Sequence, residues 1–181
     1  VTITLSNAVN GEITIPTATL TITDDDAAPS ISIADVTTAN ENDANAPFTV
    51  SLSTPTHSEK DITVEYGTTD GTAYAGMDYT ETSGMLTIAA GFLSGTFDVP
   101  ILADTLDEFN ETATITLSSP TNASINDSTA TLTITDDDPQ PTITFVDVTT
   151  INEEEQNAIF EATLSEPSGL DVTVDYFTGQ Q

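Results

Sequence analysis

Apolar and polar residues alternate along most of this 181-residue chain. In 113–118 the apolar Ala113, Ile115 and Leu117 are separated by threonine and serine, and 130–135 repeats the pattern with three threonines. A period of two places the apolar side chains on one face of a β-strand. Threonine suits the opposite face because it is β-branched and polar. No stretch has a convincing helical period, so the pattern predicts an all-β protein.

Runs of this kind, separated by Gly, Pro, Asn and Asp, predict seven strands in the middle of the chain. In the first of them, Ile31 and Ile33 share one parity and Val36 has the other, which would turn Val36 to the opposite face. We therefore expect a bulge or a change of sheet within that strand. Seven short strands are typical of a two-sheet antiparallel β-sandwich. We place the strands near 30–37, 46–53, 61–69, 84–89, 95–102, 112–119 and 128–135.

The nonapeptide ATLTITDDD occurs twice, at 18–26 and at 130–138, which is an offset of 112 residues. One offset that holds in several segments indicates tandem copies of one module. The acidic run is followed by proline in DDDAAP and in DDDPQP, and proline cannot continue a β-ladder. We therefore divide the chain into the end of a preceding repeat with its linker (1–28), a complete repeat (29–138), and a linker with the start of a following repeat (139–181). The same offset also aligns 2–6 with 114–118, 31–41 with 143–153, and 48–55 with 160–167.

The charge of the chain is almost entirely negative. Thirty Asp and Glu residues accompany a single Lys, no Arg and one His, for a net charge of −29 at pH 7. The cationic groups that bind nucleic acid or an anionic membrane surface are missing, so we expect neither partner. Cations are the favoured partners, and a highly charged surface that only maintains solubility is the alternative. The absence of cysteine excludes disulfides and thiolate metal sites.

Neither a signal peptide nor an apolar run of the roughly 20 residues that span a membrane is visible. The chain opens on VTITL, inside a predicted strand and without an initiator methionine. We expect it to be a stretch of a longer polypeptide whose targeting signals lie elsewhere.

Acidic residues gather where the predicted strands end. Loops that leave alternate strands of a sandwich meet at the same pole, so carboxylates that are distant in sequence can converge there. Converging carboxylates repel each other and raise one another's pKa unless a cation neutralises them. Ca²⁺ accepts about six to eight oxygens in a tolerant geometry, whereas Mg²⁺ requires a stricter octahedron, and one His without Cys argues against zinc. We expect Ca²⁺ at this pole, with acidic loops that are only solvated as the alternative.

Four segments resemble the Calx-β family: DGTAYAGMDY (70–79), GMLTIAAG (84–91), ILADTLDEFNETATITLS (101–118) and ATLTITDDD (130–138). That family is named for a regulatory region of sodium–calcium exchangers, and it recurs in an integrin β subunit, in matrix proteins and in long arrays in bacterial surface proteins. The resemblance covers 29–138 and, through the repeat, both partial modules. It implies a seven-stranded antiparallel immunoglobulin-like β-sandwich with Ca²⁺ at the pole where the last strand ends.

The resemblance also implies a set of Ca²⁺ ligands, and the repeat adds their counterparts in the flanking modules. In the family the closing acidic run lies next to the following module, so Asp24–Asp26 and Asp136–Asp138 would each face a module boundary. Ala103 stands where strongly binding members often carry aspartate, which implies fewer or weaker ions. The predicted ligands are Glu41, Asp78, Asp104, Glu108, Glu111, Asp136, Asp137 and Asp138, together with Asp24, Asp25, Asp26 and Glu153.

Two functions fit these expectations. The first is a structural repeat of a long secreted or cell-surface protein, such as a bacterial adhesin stalk, filament or matrix component, in which Ca²⁺ rigidifies modules and linkers. Its partners would be neighbouring repeats of the same chain, other chains in a fibre, or a cell-surface or matrix ligand. The second is a calcium-sensing regulatory domain of a membrane protein such as a sodium–calcium exchanger. The close similarity of the repeats favours the first.

We expect no enzymatic activity. A Ser/His/Asp triad that includes His57 can be assembled on paper, but no nucleophile elbow or oxyanion loop accompanies it. We therefore interpret His57 as a solvated loop residue. The carboxylates are too numerous for a glycosidase pair and lie at positions typical of metal ligands.

Overall fold

The computed structural model describes residues 1–23, 25, 27–38, 40–53, 58–148, 154 and 157–179. None of these residues belongs to a helix long and apolar enough to cross a membrane. The strands within them are β1 (Thr2–Thr4), β2 (Thr17–Thr19), β3 (Ser30–Ile33), β4 (Val36–Thr37), β5 (Asn45–Leu52), β6 (Ile62–Asp70), β7 (Ser83–Ile88), β8 (Ser94–Pro100), β9 (Glu111–Thr121), β10 (Ser124–Asp127), β11 (Thr129–Ile134), β12 (Ile143–Phe145) and β13 (Ala162–Leu164).

Strands β3 to β11 form a sandwich of two sheets. One sheet has the order β10-β3-β5-β8, and the other has the order β4-β11-β9-β6-β7. Neighbouring strands run antiparallel, except that β10 pairs parallel with β3 and β11 pairs parallel with β4. The all-β, immunoglobulin-like sandwich predicted from the alternation and the resemblance is confirmed.

The alternating apolar residues fill the space between the two sheets. Phe48 and Val50 on β5 and Ile115 on β9 are fully buried, whereas the residues between them on the same strands are exposed. Phe97 stacks between two aromatic rings, at centroid distances of 5.6 Å from Phe48 and 3.8 Å from Tyr66. Each large apolar side chain buried in this way contributes about 1.5–3 kcal/mol to folding. This core fixes the strand ends from which the acidic loops emerge.

The first predicted strand is divided between the two sheets. Its start, β3, pairs with β5 and β10, and its end, β4, pairs with β11. At the crossing, the Asp35 carboxylate accepts a hydrogen bond of 2.7 Å from the Thr131 backbone N–H. Of the two possibilities predicted from the parity of Val36, a bulge or a change of sheet, the structure shows the change of sheet.

Nine strands, rather than the predicted seven, lie in the described part of 29–138. The division of the first strand accounts for one of the two additional strands. The other is β10, a short polar segment in which Ile125 is half-buried and its neighbours are exposed. It has too few apolar residues to show an alternation, and it exists because it pairs with β3.

The short strands outside the sandwich repeat two of its pairings. Strand β1 pairs Ile3 with Ala18 on β2, just as β9 pairs Ile115 with Ala130 on β11. Strands β12 and β13 likewise repeat the register of β3 and β5. Both correspondences follow the offset of 112 residues seen in the sequence. Ile3 is 58% exposed whereas Ile115 is 0% exposed, because the first hairpin lacks an opposing sheet among the described residues.

Replacing Phe48 with Ala tests the core. We expect a loss of about 3–5 kcal/mol in the free energy of unfolding, because the change leaves a cavity beneath the stacked rings. Ser51→Ala is the matched control on the exposed face of the same strand and should change the free energy by about 0.5 kcal/mol or less. Urea unfolding followed by circular dichroism measures both, and equal effects of the two variants would contradict this description of the core.

Candidate metal centre

Four loops bring acidic side chains to one end of the sandwich. Glu41 lies in the turn after β4, Asp78 in the loop between β6 and β7, and Asp136 and Asp138 follow β11. Asp104 and Glu108 lie in the β8–β9 connection, and Glu111 is the first residue of β9. A small cavity at this end, the acidic pole, is lined by Glu41, Asp78, Leu102, Asp104, Glu108, Phe109, Glu111, Ile134 and Asp136. The predicted convergence of loops that are distant in sequence is therefore observed.

The carboxylates form two groups. In the Glu41 group, oxygens of Glu41, Asp136 and Asp138 all lie within 4.8 Å of one another, and the same holds for Asp78, Glu108 and Glu111 in the Glu108 group. Ca²⁺ binds oxygens at about 2.3–2.6 Å, so two ligands on opposite sides of one ion lie about twice that distance apart. Each group can therefore contribute all three carboxylates to a single cation.

Burial and crowding disfavour the ionised forms of these groups. The pKa of Glu41 is raised from 4.5 to about 7. The largest cause is burial, and the contact with Asp138 and the charges of neighbouring aspartates come next. The pKa of Glu111 is likewise raised from 4.5 to about 7, mainly by burial and then by the contact with Asp78 and nearby charges. The pKa of Glu108 is also raised, first by burial and then by the surrounding carboxylates. A cation placed among them would favour the ionised forms.

Two oxygens of the Glu41 group have no hydrogen-bond partner among the described residues. They are Glu41 Oε1 and Asp138 Oδ2, and both are buried. Two facing carboxyl groups can share a hydrogen bond only when one of them is protonated. A buried ionised oxygen without a partner costs several kcal/mol, so these atoms require either a proton or a cation. The chemistry of this donor set fits a divalent cation that prefers oxygen ligands.

Backbone contacts in the loop after β6 position Asp78. The Asp78 carboxylate accepts a hydrogen bond of 2.6 Å from the Tyr74 N–H. The Asp70 carboxylate closes the same loop by accepting hydrogen bonds from the Tyr79 hydroxyl at 2.6 Å and from the Ala75 N–H at 2.9 Å. These two bonds also lower the pKa of Asp70. Asp70 therefore shapes the loop, a role that its place in an acidic sequence does not reveal.

Residues that the sequence prediction missed support Asp136. The Asp136 carboxylate accepts a hydrogen bond of 3.2 Å from the Glu108 N–H, and the Asp136 N–H donates to Asn110 Oδ1 at 3.1 Å. Just before it, the Thr135 N–H donates to the hydroxyl of buried Thr38 at 3.1 Å. A usable signal was present for Thr38, because the segment DVTT occurs at the same place in both copies.

The structure brings together most of the predicted ligands of the complete repeat. Asp137 is exposed and accepts a hydrogen bond of 2.9 Å from Asn42 Nδ2, so it belongs to neither carboxylate group. Asp136 and Asp138 on either side of it are half-buried, so Asp137 is the exposed member of the run. Asp25 is exposed and also belongs to neither group. Asp24, Asp26, Glu153 and the loop residue His57 lie outside the described residues.

Comparisons with known proteins identify the family and the fold. The family model described as the Calx-beta domain matches residues 24–138, and the chain belongs to that family. The crystal structure of the apo form of the Calx CBD1 domain is similar, with a TM-score of 0.55 and 26% identity over 61% of this chain and 98% of that chain. The crystal structure of CBD12 from CALX1.2 has a TM-score of 0.56 and 27% identity over 65% of this chain, which spans about half (49%) of its length. No curated protein matches the chain.

The raised pKa values predict a pH dependence in the absence of metal. Below pH 4.5 Glu41 and Glu111 are protonated in both the folded and the unfolded chain, and their stabilising contribution is fully present. As pH rises from 4.5 to about 7, the unfolded chain ionises first and this contribution is lost. The lowered pKa of Asp70 acts only near and below its ordinary value of 3.8, outside this window.

We therefore expect the melting temperature in EDTA to fall as pH rises through this window at constant ionic strength. The paired substitution Glu41→Gln with Glu111→Gln should flatten the profile, because the amides do not titrate. A melting temperature that stays constant or rises in the unsubstituted chain would be inconsistent with crowded, buried carboxyl groups.

Asp70→Ala tests the loop that carries Asp78. We expect a loss of about 1–3 kcal/mol in the free energy of unfolding, because the buried Tyr79 hydroxyl loses its partner. Glu65→Ala, an exposed carboxylate on the same strand, is the control and should have little effect. Denaturant unfolding in EDTA measures both variants, and a loss no larger for Asp70→Ala than for the control would refute the role given to Asp70.

Proposed function

We propose that this chain is a calcium-binding part of a tandem Calx-beta array, in which Ca²⁺ rigidifies the complete module and its junctions. The observation that carries the proposal is the pair of buried, unpartnered oxygens of Glu41 and Asp138 within a set of converging carboxylates. The fold forces these side chains together, and a divalent cation is the partner that satisfies them without protonation. When bound, Ca²⁺ would supply the positive charge that the pole lacks.

The donor set favours Ca²⁺ over Mg²⁺. Seven carboxylates from four loops offer more oxygens than Mg²⁺ accepts, and their irregular placement suits the tolerant coordination of Ca²⁺. Among the similar solved structures, CBD12 of CALX1.1 is described as a calcium binding domain, and it shares 27% identity with this chain. We assign the ligands to Glu41, Asp78, Asp104, Glu108, Glu111, Asp136 and Asp138.

The repeated hairpins support an array. Both flanking pieces repeat a strand pairing of the sandwich at an offset of 112 residues, which is the behaviour of partial copies of the same module. We accordingly assign 1–28 to the end of a preceding repeat and its linker, 29–138 to a complete repeat, and 139–181 to a linker and the start of the next. Neighbouring repeats of the same chain are then the first partners.

We place this array in a long secreted or cell-surface protein of the adhesin, filament or matrix kind. The chain has no cysteine, so bound Ca²⁺ would replace disulfides as the stabiliser of an extracellular β-protein. The net charge of −29 makes a stalk of such modules self-repelling, and bound cations would reduce the repulsion within each module.

A second candidate is a calcium-sensing regulatory module of a membrane protein. The similarity to Calx CBD1 and CBD12 structures favours it. The two candidates predict different Ca²⁺ affinities. A sensor must release Ca²⁺ at micromolar concentrations, whereas an extracellular stalk has a dissociation constant of about 10⁻⁴–10⁻³ M. Calorimetric titration of the chain with Ca²⁺ separates them.

Thermal melts of the whole chain in EDTA, in Mg²⁺ and in Ca²⁺ at constant ionic strength test calcium binding. We expect stabilisation by Ca²⁺ alone, of about 2.7 kcal/mol when free Ca²⁺ is 100 times the dissociation constant. Asp138→Asn should reduce the gain, and Asp137→Asn is the matched control because Asp137 lies outside both groups. Equal melting temperatures in all three solutions would mean that the acidic pole only maintains solubility.

A further inference from the structure

One segment of the third piece touches the acidic pole of the sandwich. Ser168 forms a parallel β-bridge with Asp107, which lies in the β8–β9 connection. The Gly169 N–H donates to the Asp107 carbonyl oxygen at 3.2 Å, and the Ser168 hydroxyl donates to the same oxygen at 3.3 Å. The Leu170 N–H donates to the Ser168 hydroxyl oxygen at 3.1 Å, which closes a small turn. Residues 168–170 therefore form an ordered contact.

The solvent exposure of the third piece also distinguishes residues 168–170 from their neighbours. Within the described residues 157–179, Ser168 and Leu170 are half-buried and every other residue is exposed. The contact is therefore confined to these few residues. It lies more than 25 residues beyond the Asp136–Asp138 run that leads covalently into the third piece. The contact is thus a second attachment between the two parts of the chain.

Gly169 packs directly on a proposed ligand. A Cβ atom at this position would lie 2.7 Å from Glu108 Cγ and 2.8 Å from Glu108 Cδ, and it would overlap Glu108 Oε1. The backbone of Gly169 is not in the left-handed region, so a side chain at 169 is opposed by Glu108, which would have to shift, and not by the backbone conformation. The Glu108 side chain therefore lies directly beside the Gly169 backbone, and a larger residue at 169 would require Glu108 to move.

We propose that Ser168–Leu170 is a docking segment for the acidic pole, and that docking and cation binding at the Glu108 group favour each other. This inference rests on the proposed calcium function. It assigns the stiffening of the junction to a specific contact on the loop that carries Asp107 and Glu108, in addition to the acidic run between the modules.

The coupling follows from the position of Glu108. Its carboxylate lies within 4.8 Å of those of Asp78 and Glu111, so without a cation repulsion favours positions of the ionised Glu108 carboxylate that are farther from them. The space next to Glu108 on the third piece is the space that Gly169 occupies. A cation that holds Glu108 within its group keeps this space open, and a docked Gly169 prevents Glu108 from turning out. Coupling between two binding events is reciprocal, so each must strengthen the other.

Distance measurements on the whole chain test the docking. The chain has no cysteine, so Thr96→Cys and Thr163→Cys, both at exposed positions outside the pole, allow two spin labels to report the separation of the sandwich and the third piece. In pulsed electron–electron resonance, we expect a narrow distance distribution in Ca²⁺ and a broad one in EDTA. Gly169→Val should keep the distribution broad in Ca²⁺.

Two further variants complete the experiment. Gly179→Val is the matched control, because a Cβ there meets nothing within 4 Å, and it should behave like the unsubstituted chain. Ser168→Ala removes the hydroxyl bonds without adding bulk and should broaden the distribution in part. By reciprocity, calorimetry should show about a five-fold or larger loss of Ca²⁺ affinity in Gly169→Val, with the number of bound ions unchanged.

The outcomes separate this inference from the proposed function. If Ca²⁺ binds and stabilises the chain but Gly169→Val matches Gly179→Val in both distance distribution and affinity, the docking inference is wrong and calcium binding stands. If the unsubstituted chain does not bind Ca²⁺, both fail. A distribution that is equally narrow in Ca²⁺ and EDTA also overturns the coupling, because the contact would then form without the cation.

Discussion

The repulsion among carboxylates at one end of the sandwich is the interaction on which the rest of this structure depends. The fold creates it, because β4, β6, β9 and β11 end or begin at the same pole and each delivers at least one acidic residue. Hydrogen bonds position the loops but do not offset the repulsion between these charges. The cohesion comes from the core, where Phe48, Ile115 and their neighbours are fully buried. The apolar core therefore supplies the free energy that keeps an electrostatically unfavourable site assembled.

The hydrogen bonds around the pole limit how the site can relieve this repulsion. Asp70 closes the loop that carries Asp78, and Thr38 and Asn110 fix the segment that carries Asp136. These contacts hold the backbone in place, so relief must come from the side chains through protonation, rotation or binding of a cation. Glu41 and Glu111 show the first route in their raised pKa values. For Glu108, the second route is opposed by Gly169 of the third piece, which lies against its side chain.

Alternation and parity predicted much of the fold, because a two-residue period is a local property of the chain. The parity of Val36 even predicted a bulge or the change of sheet that is observed. The short strand β10 escaped prediction because its pairing with β3 is decided by proximity and not by its own apolar content. Within the acidic residues, the sequence pattern treated Asp136, Asp137 and Asp138 alike. The structure separates them, since Asp136 and Asp138 are half-buried beside Glu41 whereas Asp137 is exposed.

By itself the sequence determined the β class, the similar segments that lie 112 residues apart, the family, and the acidic residue types from which a cation site can be built. These features depend on local spacing and on similarity between segments, which need no coordinates. Only the tertiary structure decided which carboxylates meet, that Asp70 shapes a loop, and that Asp107 and Glu108 contact residues 168–170. The reason is physical: charge repulsion and hydrogen bonding act over a few ångströms, and those distances join residues that lie up to 97 positions apart in the chain.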